Sequence, residues 1–176
     1  RHNAMNALAA LAICDQFDIN PMTTIKTVMA YAGLPHRSEA VGIFGGAEFI
    51  NDSKATNPGA TSAAIQGLAQ PDRPMLLILG GVSKGADFST LQLVVNAHVA
   101  KVFLYGVDSG LIKNALAEFV ACEEFDTLAN VIQAIAAEVA PGSTVLFAPA
   151  CASFDQFDDF EHRGREFKRL VKEAFL

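Results

Sequence analysis

NDSKATNPGATSAAIQGL, residues 51–68, leaves a strand, crosses a polar corner and enters a helix. Asn57-Pro58 marks the entry: an asparagine accepts from the first free N–H groups of a helix, and a proline at the first helical position has no N–H to lose. Repetition of this strand-to-helix step decides the fold class. Met75–Leu79 is a continuous apolar run ending in Gly80-Gly81, followed by a loop and a helix from about Ser89. Lys101–Tyr105 leads to a helix from about Ser109, and a short strand near Glu124 leads to a helix over Thr127–Val139. Thr144–Phe147 leads to a last helix from about Gln156. Strands alternating with helices in this way predict right-handed β-α-β units and a Rossmann-like, doubly wound, mostly parallel α/β sheet with flanking helices. A hairpin, Glu39–Phe44 and Ala47–Asn51 around Gly45-Gly46, is expected to precede them.

Upstream of that domain the pattern is helical. Asn3 to about Phe17 is rich in Ala and Leu without a β-branched run, and Asn20-Pro21 opens a second helix to about Tyr31. Gly33 stops it. The expected division is a helical pair over residues 1–33 and an α/β domain over 34–176. The chain begins with Arg and enters a helix almost at once, so it reads as a piece of a longer protein.

Bulk composition narrows the partners. Hydrophobic residues make up 51% of 176, enough for a sizeable core, and no apolar run reaches the length of a membrane span. A net charge of −6 argues against nucleic acid as the main partner. The one dense basic stretch, Arg163, Arg165, Lys168, Arg169 and Lys172, follows Asp155, Asp158, Asp159 and Glu161, and reads as a solvated helix matched to its own dipole. Cys14, Cys122 and Cys151 form no C-x-x-C pair and suggest a reducing, cytoplasmic setting. The four histidines show no metal-binding spacing. Asn51-Asp52-Ser53 fits the glycosylation sequon and is read as coincidence.

In a doubly wound sheet, ligands bind beyond the carboxyl ends of the strands. The polar loops at 51–57, 80–87 and 148–155 all follow strands, so all three are expected on that edge. The first offers Asp52, Lys54, Thr56 and Asn57. Capping explains Asn57, whereas a lysine beside a helix N-terminus is locally unhelpful and suits an anion pocket. The second, GGVSKGADF, matches neither common glycine-rich nucleotide motif, and Lys84 reads either as a turn residue or as an anion contact. In the third, Ser153 reads as a cap or a ligand contact, Cys151 as a small buried residue, and Phe160 by its spacing as core. Two lysines and two hydroxyls on one edge suit a small polyanion such as a dicarboxylate.

The segments HNAMNALAALA, GLPHR, FINDSKATNPG, LGGVSKGADF and PACASFDQFDDFEHRGREF together resemble the D-glutamate-adding ligases of the Mur family, in order and over nearly the whole chain. The resemblance implies an ATP-dependent ligase of peptidoglycan synthesis. It joins D-glutamate to UDP-N-acetylmuramoyl-L-alanine through an acyl phosphate, with Mg2+ held mostly by residues outside this chain. Residues 1–33 would then end the central ATPase domain, and the rest would be the amino-acid-binding domain, inactive alone for want of a P-loop. Thr56, Lys84, Ser153, Phe154 and Phe160 match the D-glutamate site. Asn3, Asn6, His36, Arg37, Asp52 and Lys54 match the nucleotide-facing positions, with His36 and Lys54 in support of the chemistry. Two positions depart from the pattern: Val82 stands where the family usually carries an acid, and Ser38 where it carries an aromatic. A related amide ligase using another amino acid, and a non-catalytic anion-binding module, are the alternatives.

Overall fold

Glycines at 45 and 46 both adopt positive φ, the backbone that a two-residue hairpin turn requires. They join β1 (Glu39–Phe44) to β2 (Ala47–Asn51) in antiparallel register, with Phe44 opposite Ala47 and Glu39 opposite Asn51. The computed structural model describes residues 2–176, with side chains described from residue 6 onward. From β2 the chain winds through α3 (Pro58–Leu68), β3 (Met75–Gly80), a 3₁₀ turn (Phe88–Leu91), α4 (Gln92–His98), β4 (Val99–Tyr105), α5 (Ser109–Leu116), β5 (Ala121–Phe125), α6 (Leu128–Glu138), β6 (Thr144–Phe147) and α7 (Phe160–Ala174). Ahead of these lie α1 (His2–Asp15) and α2 (Pro21–Ala30), which pack on each other and form a unit of their own that ends at Leu34. Since these two come first in the chain, they are called the leading helices.

The six strands lie in the order β1-β2-β6-β3-β4-β5, and every pairing except β1 with β2 is parallel. Alternation along each strand splits the core into two layers. Ile50, Leu77, Leu79, Leu104 and Leu146 face α3, α4 and α5. Phe49, Ile78, Phe103, Val145 and Phe147 face α6 and α7. β6 therefore occupies the switch point: the chain leaves β2 and β3 toward one face and leaves β6 between them toward the other. In sheets of this kind the switch point is where ligands bind.

Two helices start three or four residues later than the sequence reading placed them. The helix expected from Ser89 is a 3₁₀ turn and only then the short α4, because Asp87 caps the turn by accepting from Ser89 N–H. The last helix starts at Phe160, not Gln156: Asp159 accepts from the His162 N–H at 2.6 Å and is its cap. Asp155 and Asp158 thus belong to the loop, and Ser153 is not a helix cap. Among the described residues no helix is long and apolar enough to cross a membrane.

Candidate functional site

The loops after β2, β3 and β6 meet at the carboxyl edge and are bonded to one another. Asp52 N–H donates to Phe147 O at 2.7 Å and Ala150 N–H to Ala55 O at 2.9 Å, which ties the first loop to the third. Gly80 N–H donates to Pro149 O, and Val82 and Ala152 exchange both of their backbone bonds at 2.9 Å, which ties the second to the third. The β6 loop is therefore a shared seam between the Lys54–Thr56 loop and the Lys84 loop.

Beneath the seam lies a fully buried arginine. Arg163, on α7, donates from Nε to Ser53 Oγ at 3.0 Å, from Nη2 to Ser53 O at 2.9 Å and from Nη1 to Cys151 O at 3.0 Å. Ser53 Oγ in turn donates to Phe160 O at 2.7 Å. One guanidinium thus joins two loops to the start of α7, using neutral acceptors with a rigid fork. This overturns the reading of Arg163 as part of a solvated basic face: it is 0% exposed. The signal was in the spacing, since Arg163 stands three residues after Phe160 and four before Phe167, on the helix's inward stripe.

His36 forms the wall on the far side of Lys54. It is 6% exposed and holds a left-handed backbone at φ 61°. The buried Asn51 amide is oriented by Ser53 N–H donating to its Oδ1, so its Nδ2 donates to His36 Nδ1 at 2.9 Å as well as to Glu39 and Gly164 O. That makes Nδ1 an acceptor and leaves the proton on Nε2. Burial, aided by the charge of Lys168, lowers the His36 pKa and keeps the ring neutral, against the opposing pull of Glu39. The imidazole reaches this depth because residue 164 is glycine: a Cβ there would sit 2.2 Å from His36 Nδ1. His36 O accepts from Lys54 N–H at 3.1 Å, which ties the linker to the loop. Asn51, buried with its amide engaged, is no glycan acceptor.

Each lysine of the site lies over a phenylalanine. Lys54 Nζ is 4.1 Å from the Phe160 ring centroid, and Lys84 Nζ is 5.1 Å from that of Phe154. Phe160 also meets His36 edge-on, with ring centroids 6.4 Å apart, and so lines the site instead of joining the core as its spacing suggested. Thr56 is half-buried, Lys84 and Arg37 are exposed, and Asp52 is half-buried beside Lys54. Ser153 is 2% exposed while Phe154 next to it is 64% exposed. Asn6 lies exposed on the first leading helix, and the side chain of Asn3 lies outside the described residues. Burial pushes the Cys151 thiol up to about 12, which removes it as a nucleophile.

A parallel, doubly wound sheet with two lysine-bearing loops joined at its switch point is a Rossmann-like domain with a cationic ligand edge. The family of the Mur ligase, glutamate ligase domain, matches residues 36–151, and the chain belongs to it. Over 98% of its length it is 45% identical to the UDP-N-acetylmuramoylalanine–D-glutamate ligase of Shigella boydii, and 44% identical to that of Escherichia coli. It spans 39% of the length of those relatives. Among solved structures it superposes on the murein peptide ligase of Psychrobacter arcticus with a TM-score of 0.67, at 19% identity, covering 99% of this chain and 37% of that one. The MurF ligase of Thermotoga maritima, solved with ADP, gives the same TM-score at 15% identity, covering 93% of this chain and 37% of that one.

Proposed function

We propose that these residues are the amino-acid-binding portion of a cytoplasmic ligase that joins D-glutamate to UDP-N-acetylmuramoyl-L-alanine at the expense of ATP. The observation that carries the reading is the seam itself. Through the β6 loop it sets the Thr56 loop and the Lys84 loop side by side, in a chain close in sequence to ligases of that name. Lys84 and Thr56 hold one carboxylate of D-glutamate. Ser153, with the start of α7 and the Phe154–Phe160 turn, holds the other, which requires the covered Ser153 to become accessible.

His36, Arg37, Asp52 and Lys54 fit the nucleotide side of the site, because the Lys54–His36 backbone bond gathers them on one wall. Asp52 suits ribose hydroxyls and Arg37 suits phosphate oxygens. ATP supplies the phosphoryl group that activates the alanyl carboxylate. Among the described residues no group of three His, Cys, Asp or Glu side chains comes together to hold a metal.

The contribution of this domain is placement. With both carboxylates held, the neutral amine of D-glutamate points at the acyl carbon. Its attack gives a tetrahedral intermediate that expels phosphate, and the fixed orientation replaces a bimolecular encounter. Arg37 and Lys54 offset charge that builds near the transferred phosphate. The leading helices belong to the end of a central ATPase domain, and no G-x-x-x-x-G-K-[ST] motif occurs in these 176 residues, so they are expected not to ligate alone.

The test is phosphate release by the full-length protein from ATP, UDP-N-acetylmuramoyl-L-alanine and D-glutamate. Each charge-assisted bond contributes about 1.5–3 kcal/mol, so Lys84→Ala is expected to raise the KM for D-glutamate by about 10- to 100-fold. Normal turnover in both Lys84→Ala and Thr56→Ala contradicts the assignment.

A further inference from the structure

The Lys84 loop has an anchor outside the three loops of the site. Asp108 stands at the N-cap position of α5, where an aspartate ordinarily accepts from its own helix's first N–H groups. It makes no such side-chain bond. Its carboxylate turns instead to the neighbouring loop and accepts from Ser83 N–H at 2.6 Å, while its own N–H donates to Gly81 O at 3.3 Å. Ser83 is the residue before Lys84, which holds a left-handed backbone at φ 53°. The same loop is tied on its other side by the Val82–Ala152 pair.

We infer that Asp108 is a positioning residue for Lys84: it gives up its place as a helix cap to fix the turn that aims the lysine. This inference rests on the reading of Lys84 as a carboxylate contact. Two features make the carboxylate necessary there. Lys84 and Gly85 are exposed and take no packing from the core, so the turn is set by the hydrogen bonds around it. The left-handed conformation of a lysine is also unfavourable and persists only where surrounding bonds determine it. Of those bonds, the one from Asp108 is the one made by a side chain of another element, with a charged acceptor and the short distance typical of one. Without it Ser83 N–H is hydrated, the turn relaxes, and the ammonium is spread over many positions.

The full-length protein carrying Asp108→Ala and, separately, Asp108→Asn tests this by steady-state kinetics with each substrate varied in turn. Asp108→Ala is expected to raise the KM for D-glutamate by about tenfold. The KM values for ATP and the nucleotide-sugar substrate should stay within twofold. Asp108→Asn retains an acceptor oxygen and is expected to recover most of the loss, which a general destabilisation of α5 would not reproduce. A D-glutamate KM within twofold of wild type in Asp108→Ala, or an equal rise for all three substrates, overturns the inference while leaving the site assignment intact. A wild-type protein that releases no phosphate in response to D-glutamate overturns the assignment and this inference together.

Discussion

The two lysine-bearing loops stand on one edge but are held by different means. Lys54 is flanked by buried residues, Asn51, Ser53 and Ala55, and its loop is fastened from below by Arg163 and from the side by His36. Lys84 is itself exposed, between half-buried Ser83 and exposed Gly85, and its loop is fastened by main-chain bonds to Ala152 and by the Asp108 carboxylate. The first wall is an extension of the core, and its geometry is set when the domain folds. The second is a surface turn with little burial behind it, the kind of segment that adjusts locally. Substitutions in the first wall should therefore be felt as stability, and substitutions in the second as binding.

The largest effect is expected where that fastening is densest. Arg163→Met keeps length but removes three donors, leaving buried acceptors on Ser53 and Cys151 without them. Denaturant unfolding should report a loss of about 3 kcal/mol, since each unmet buried group costs about 1–3 kcal/mol. Gly164→Ala comes next. Its Cβ collides with the His36 ring, and overpacking of this kind costs about 1–3 kcal/mol. The same unfolding experiment checks it. A change under about 0.5 kcal/mol in either, the range of ordinary surface positions, would break the comparison.

A smaller effect should appear with pH. The His36 pKa is lowered in the folded chain, so between that value and the ordinary 6.5 the unfolded chain binds the extra proton. Stability then falls as pH drops through about 6.5 and levels once both states are protonated. Protonation also turns Nδ1 into a donor facing the Asn51 amide. The groups facing His36 are Glu39, Lys168, Glu161 and Arg165. Glu39, held below its usual range chiefly by Lys168 despite its burial, adds its own loss at lower pH. His36→Asn, which tolerates positive φ, should flatten the step between pH 7 and 5.5 in thermal melts. Smallest of all, Lys84→Ala should leave unfolding within about 0.5 kcal/mol of wild type.

Much of this was legible in the residues. The hairpin, its glycine turn, the parallel strands and the caps at Asn20 and Asn57 follow from period, turn chemistry and cap chemistry, which are local. Positions that depend on what a side chain meets across the fold were not. Arg163 sits on the inward stripe of α7 yet reads as surface by its charge, because its acceptors are the hydroxyl and carbonyl of Ser53, more than a hundred residues away, and the carbonyl of Cys151 nearby. Phe160 reads as core by the same stripe, and its ring lies against Lys54 instead. Asp108 has the chemistry of a cap at the position of a cap and bonds elsewhere. Asp155 and Asp158 look like the acids of a helix start and belong to a turn, because Asp159 is the residue whose side chain meets the helix.

The proposed role of the edge bearing Thr56, Lys84 and Ser153 is to take the two carboxylates of D-glutamate. Thermal unfolding of the chain in the presence of D-glutamate or L-glutamate tests it most directly. Ligand at 100 times its Kd stabilises the native state by about 2.7 kcal/mol. A rise in Tm with D-glutamate is expected that exceeds the rise with L-glutamate and disappears in Lys84→Ala. Equal rises with the two isomers, no rise with either, or a rise that survives in Lys84→Ala would contradict it.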